Sequence, residues 1–168
     1  MSLINTGYLE PEELRELQKL PSEERYQKGP VAVIECVQEI PCNPCEAACR
    51  FGAIRIGDPI TNLPQCSHEK CTGCGVCVSK CPGLAIFVVN KAYSETTATV
   101  SFPYEYMPVP EQDMAVTAVN RKGEPVCEAK VVKVLNPAAF DHTPVVTVEI
   151  PKEYADDVRS IRRLQEAD

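Results

Sequence analysis

Apolar residues in this chain come in blocks of strand length, and the spacing inside each block predicts an element. Residues 31–36 (VAVIEC), 54–56 and 85–89 are β-branched or apolar runs that read as buried strands. Residues 97–102, 114–119, 126–135 and 145–150 alternate apolar and polar side chains, the period of a strand with one face on a core. They predict a small antiparallel sheet or barrel. Residues 120–124 (NRKGE) fit a hairpin turn with Gly123 at positive φ. The proline-punctuated residues 104–112 predict an ordered loop.

Helical spacing lies at the two ends. Residues 10–20 (EPEELRELQKL) place Leu14, Leu17 and Leu20 at i, i+3 and i+6, with Pro21 just past the last of them. A further turn at residues 22–25, capped by Ser22, is stopped by Gly29 and Pro30. Such an arm either docks on a partner or packs on its own domain. Residues 152–167 predict an amphipathic C-terminal helix with Val158, Ile161 and Leu164 on one face. Short helical turns are expected at residues 46–50 and 76–80, and residues 57–65 (GDPITNLPQ) form a turn-rich connector.

The middle of the chain is a repeat. CNPCEAACRFGAI at 42–54 and CGVCVSKCPGLAI at 74–86 carry one pattern, offset by 32 residues. Cys42, Cys45 and Cys49 thereby match Cys74, Cys77 and Cys81, while Ala53 and Ile54 match Ala85 and Ile86. Cys71 completes the second copy as CxxCxxCxxxCP. In that bacterial ferredoxin spacing, three close thiolates hold one cubane and the fourth reaches the other cluster. Two copies imply two [4Fe-4S] clusters that exchange their fourth ligands. Soft thiolates at short pitch let a compact loop wrap a cluster while backbone amides point at its sulfurs, and iron drives the thiols to ionise.

The first copy is broken where Glu39 aligns with Cys71. Cys36, three residues earlier, restores a ligand through a longer loop. Cys66 could instead fold back, and Glu39 is the weakest candidate because iron-sulfur sites favour thiolate. The resulting sets are Cys36, Cys42, Cys45 and Cys81 for one cluster, and Cys49, Cys71, Cys74 and Cys77 for the other. Cys127, in an alternating strand, reads as a small buried hydrophobe. His68 and His142 read as turn or surface histidines, with His68 close enough to the second copy to tune it. Arg50 stands where the second copy has Pro82, which makes the two halves unequal.

Composition narrows the function. At 168 residues, 44% hydrophobic and 24% charged, the chain has room for one compact domain or two small ones, but not for a large catalytic cavity. Ten cysteines without a basic, then apolar, leader point to a reducing, cytoplasmic setting rather than a disulfide framework. No apolar run approaches the roughly 20 residues of a membrane span. A net charge of −7 without aromatic-interleaved basic patches argues against nucleic acid.

Radical catalysis at a cluster needs a CxxxCxxC triad, and Gly52 stands where its last cysteine would be. A zinc site built from Cys42, Cys45, Cys71 and Cys74 would leave at least four cysteines unexplained. A redox-sensing regulator would need a DNA-reading element, and none is found. The expectation is therefore an electron-transfer subunit with no catalysis of its own, the alternative being a free-standing ferredoxin-like carrier.

One resemblance refines this. KGPVAVIECVQEIPCNPCEAACRFGAIRIG, CTGCGVCVSKCPGLAIFVV and SFPYEYMPVP resemble the small iron-sulfur subunits of multi-subunit flavin-dependent dehydrogenases acting on amino acids or amines. These are similar to proline or hydroxyproline dehydrogenase complexes and to the opine and sarcosine oxidase group. The resemblance runs from about Pro21 to Arg159, with PCNPCE and CPGLAIF its more particular parts. It implies FAD-dependent dehydrogenase subunits as partners in a hetero-oligomer, and no residue of this chain touching substrate. The expected fold class is α+β. It comprises an N-terminal helical arm (1–30), a bacterial 2[4Fe-4S] ferredoxin-like domain (31–91), a small antiparallel β domain (92–151) and a C-terminal helix (152–168).

Overall fold

The computed structural model describes residues 3–165. The chain opens with three short helices: α1 (Leu3–Thr6), α2 (Pro11–Glu16) and α3 (Glu23–Tyr26). Pro11 starts α2 because a first-turn residue needs no N–H partner. The Glu13 carboxylate accepts from the Glu10 N–H (3.0 Å), closing that first turn. The helix is shorter than the leucine spacing predicts. Only Leu14 is buried, and the chain leaves the helix through Gln18 at φ +53 because Leu20 is drawn back onto the core. Ser22 caps α3 as expected, its Oγ accepting from the Arg25 N–H (3.2 Å). Leu14, Arg25 and Tyr26 are buried, so the arm packs on its own domain.

The repeat folds as strand, loop, helix, strand, twice over. Its first copy runs through β1 (Val31–Ile34), α4 (Pro44–Ala48) and β2 (Ile54–Arg55). The second runs through β3 (Gln65–Cys66), α5 (Val76–Lys80) and β4 (Ile86–Asn90). β1 pairs antiparallel with β4 and β2 with β3, so each copy gives one strand to each pairing. The C-terminal half adds β5 (Thr97–Pro103), β6 (Ala115–Val119), β7 (Pro125–Leu135), β8 (Val145–Pro151) and β9 (Ser160–Ile161). One seven-stranded sheet results, ordered β1-β4-β5-β8-β7-β6-β9, and every pairing in it is antiparallel. The repeat and the β-rich half share it through the β4–β5 pairing.

Alternation along β1 and β4 creates two cores. Val31, Val33, Phe87 and Val89 enter the larger one, with Val100, Phe102, Val131, Val148 and Tyr26. Ala32, Ile34, Ile86 and Val88 point the other way, into a core shared with Ile54, Ile56, Val78 and the cysteines. These two strands are buried on both faces, which is why their sequence reads as continuous apolar runs rather than as alternation.

The C-terminal helix expected over residues 152–167 does not form within the described residues. Lys152–Tyr154 make a single 3-10 turn and Ser160–Ile161 become an edge strand, Ile161 opposite Ala118 and Ser160 opposite Val119. Val158 and Ile161 are buried in the larger core as predicted, Val158 after a turn closed on Tyr154 and Ile161 on the edge strand. The free edge of β6 takes the segment's backbone, with the Arg159 N–H donating to Val119 O (2.9 Å) and the Arg162 N–H to Thr117 O (2.8 Å). Long-range pairing here overrides a local period that a lone helix could not sustain.

Candidate metal centre

The two cysteine loops fold alike because their sequences are alike. Each carries a five-residue helix followed by a cysteine in extended conformation: Cys49 at φ −81, ψ 94 after α4, and Cys81 at φ −81, ψ 109 after α5. The turn that follows brings an alanine amide back to each sulfur. Ala53 N–H donates to Cys49 Sγ (3.3 Å) and Ala85 N–H to Cys81 Sγ (3.4 Å), the two alanines that the repeat aligns. Ala32 N–H donates to Cys71 Sγ (3.3 Å). Such donors favour negative charge on sulfur.

Two cavities of similar size, about 390 and 350 Å³ counting space open to solvent, sit under these loops. Cys36, Cys42, Cys45 and Cys81 line the first, along with Ile34, Ile56 and Ile86. Cys49, Cys71, Cys74 and Cys77 line the second, with Ala32, Ile54 and Phe51. Each cavity thus takes three thiols from one loop and a fourth from the other copy. Cys45 and Cys77, at matched helix positions, are each 8% exposed, whereas Cys74 is exposed. Among the described residues, no three His, Cys, Asp or Glu side chains converge as ligands of a single ion do. Four cysteines line each cavity, and soft thiolate donors suit an iron-sulfide core.

Burial works against these thiols ionising on their own. It pushes Cys45 up to about 11, helped by the charge of Cys81, and Cys77 up to about 12, helped by Cys71. Cys81 is raised by burial despite its amide donors from Ala85 and Gly83. A bound cluster would supply the positive charge that offsets this and lets the thiols ionise. Cys71 goes the other way. The Cys66 S–H donates a hydrogen bond to the Cys71 sulfur, which holds the Cys71 thiol below its usual range and raises that of Cys66.

Cys66 lies in β3 opposite Ile54 and lines neither cavity. Glu39 is exposed and also lines neither. The four cysteines of the zinc alternative are divided, Cys42 and Cys45 in one cavity and Cys71 and Cys74 in the other. Cys127 sits in β7 opposite Ala118, packed on the larger core. His68 is half-buried beside Arg25, which takes its carbonyl rather than its ring.

An ion triad escaped the sequence reading. Glu35, between β1 and Cys36, accepts from Arg121 Nε (2.8 Å) and Nη2 (2.6 Å) and from Arg159 Nε (2.7 Å). Burial pushes its carboxyl up, but the Arg121 hydrogen bonds and the Arg159 charge outweigh that and hold it below the ordinary range. The two arginines stand 86 and 124 residues away, in the β6–β7 turn and beside β9. No local pattern could have linked them to the cysteine loop. The β-rich half thereby anchors the residue next to Cys36, where the first loop is longer than its counterpart.

Gly73 carries a second constraint. It has φ +67, and a Cβ there would lie 2.5 Å from Pro30 Cβ and 2.7 Å from the Pro30 carbonyl. The left-handed backbone alone costs alanine about 1–2 kcal/mol. Gly73→Ala is therefore expected to destabilise the chain more than Gly123→Ala, which has φ +79 and open space around it, and to lower the iron content besides. Thermal unfolding and iron assay of the two variants check this; equal losses of stability with unchanged iron would show that the approach to Pro30 is immaterial.

Comparison with known proteins bears on this site. The family described as 4Fe-4S binding domain matches residues 67–87, so the chain contains such a domain around its second cysteine run. The chain is 47% identical over 47 residues to a subunit of the ion-translocating oxidoreductase complex of Methanosarcina acetivorans, covering 28% of this chain and 17% of that protein. It is 46% identical over 48 residues to a subunit of the Na(+)-translocating ferredoxin:NAD(+) oxidoreductase complex of Acetobacterium woodii, covering 29% and 14%. A third match, 28% identical over 106 residues, is to Protein Pixie of Drosophila melanogaster and covers 54% and 17%. In each case the match spans less than a fifth of the relative's own length. No solved structure matches. Among the described residues no helix is long and apolar enough to cross a membrane.

Proposed function

We propose that this chain is the iron-sulfur subunit of a cytoplasmic, flavin-dependent dehydrogenase complex that oxidises amino acids or amines. It would hold two [4Fe-4S] clusters, one on Cys36, Cys42, Cys45 and Cys81 and the other on Cys49, Cys71, Cys74 and Cys77. The observation that carries this reading is the pair of four-thiol cavities with crossed fourth cysteines. When bound, such clusters take up and release electrons singly, which suits them to link a two-electron flavin to an acceptor.

The chain's own residues do the rest. Helices α4 and α5 fix the thiols, amides of Ala32, Ala53 and Ala85 favour negative sulfur, and Ile34, Ile54, Ile56 and Ile86 keep water away. Exposed apolar side chains flank both cavities, Ile40 (47%) at the first and Phe51 (51%) at the second. Contacts of that kind fit a donor docking at one end and an acceptor at the other. The matched relatives from Methanosarcina acetivorans and Acetobacterium woodii are named as parts of oxidoreductase complexes, which supports a subunit role over a free-standing carrier. The flavoprotein partners rest on the family resemblance.

The halves differ at Arg50 against Pro82 and at Cys36 against Cys71, so the clusters should differ in potential. An anaerobic redox titration followed by electron paramagnetic resonance should resolve two one-electron steps. A single superimposed step would count against the difference between the halves, and the absence of any reversible step would refute the relay.

A further inference from the structure

The N-terminal arm delivers a buried charge to the second cavity. Arg25 is 6% exposed, and its guanidinium donates only to carbonyls: Nε to His68 (2.6 Å), Nη1 to Gly29 (3.1 Å), and Nη2 to Pro30 (3.0 Å) and Cys71 (2.7 Å). Among the described residues it has no carboxylate partner within 4.0 Å, in contrast to Arg121 and Arg159, which share Glu35. A buried cation without a counter-ion is costly. Its fork reaches the carbonyl of Cys71, the residue whose sulfur lines the second cavity. Two of its carbonyl partners, Gly29 and Pro30, lie on the segment against which Gly73 is pressed. Arm, guanidinium and cysteine loop are thus one packed unit.

We propose that Arg25 is the positioning residue of the second cluster, fixing the loop of Cys71, and that its uncompensated charge raises the potential of that cluster alone. The proposal rests on the two-cluster reading above. Reduction there adds one electron, given up by the partner's flavin, and no bond forms or breaks. The site becomes one charge more negative, and a fixed cation in a weakly screened environment favours that state. Beside the first cavity Arg121 and Arg159 share the single carboxylate of Glu35, so the net positive charge next to Cys36 is ion-paired, whereas Arg25 is held by carbonyls alone.

The test uses the full chain, purified anaerobically, with Arg25→Gln and Arg25→Lys compared by iron content and spectroelectrochemical titration. Arg25→Gln should lower one of the two midpoints and leave the other in place, while Arg25→Lys keeps both near their wild-type positions. If the glutamine variant fails to load its second cluster, loading of the lysine variant shows that charge is what the site needs, and supports the proposal. Glutamine with both midpoints unmoved overturns it, as does lysine with the same midpoint lowered. Failure of both variants to load the second cluster leaves Arg25 as a clamp on the loop and overturns the role proposed for its charge. A wild-type chain holding iron and sulfide for one cubane only would instead remove the two-cluster reading, whatever Arg25 does.

Discussion

A Cys36→Ser variant should bind less iron than the about eight atoms of two cubanes, and the loss should fall on one cluster only. Cys36 reaches the first cavity from the end of β1, three residues before the position that the repeat reserves for a ligand. Without its thiolate, the three remaining thiols leave one corner of that cluster open to water and to loss of iron. The second cavity draws no side chain from residues 33–47, so its signal should persist. Cys66→Ser is the control. Its thiol hydrogen-bonds to Cys71 but lines neither cavity, and iron content should stay at the wild-type level. Iron assay with electron paramagnetic resonance reads both variants; full iron in Cys36→Ser, or its loss in Cys66→Ser, would reverse the assignment.

Glu35→Gln should be strongly destabilising, on the scale of emptying a core position. It leaves Arg121 and Arg159, whose side chains are 7% and 3% exposed, without their shared carboxylate. Breaking a buried charge network by removing one partner costs about 3–5 kcal/mol. Replacing all three members with methionine removes the charges together and should recover much of that loss. Anaerobic urea unfolding of the iron-loaded proteins provides the comparison. A loss below about 1 kcal/mol for Glu35→Gln would place the triad in the class of exposed ion pairs. Because Glu35 adjoins Cys36, the first cluster should also become the more labile one in this variant.

Much of the site was legible in the sequence because its chemistry is local. Cysteines at fixed short spacing on small helices must share a loop, and the offset of 32 residues gives the crossing of Cys49 and Cys81. The strands were legible for the same reason. Residues 97–102 and 145–150 alternate as predicted and pair in register, Val100 opposite Val148 and Phe102 opposite Val146. Gly123 takes the positive φ that the NRKGE turn requires.

What stayed hidden depends on contacts across long separations. The stripe of Val158, Ile161 and Leu164 suits a helix, but the same residues suit an edge strand once β6 offers its backbone. Arg25, Arg121 and Arg159 look like solvated charges in a sequence. Only folding reveals that one holds the carbonyl of Cys71 and two hold the residue beside Cys36. The extra length between β1 and Cys42 is likewise explained by an anchor in the other half of the chain.

The central claim is two clusters on eight thiolates, and iron with acid-labile sulfide, measured on the anaerobically purified and dithionite-reduced chain, tests it most directly. About eight of each, with spin-coupled paramagnetic signals, is the predicted result. About four of each would leave one cluster and make the first copy degenerate, and zinc without sulfide would contradict the electron-transfer account altogether.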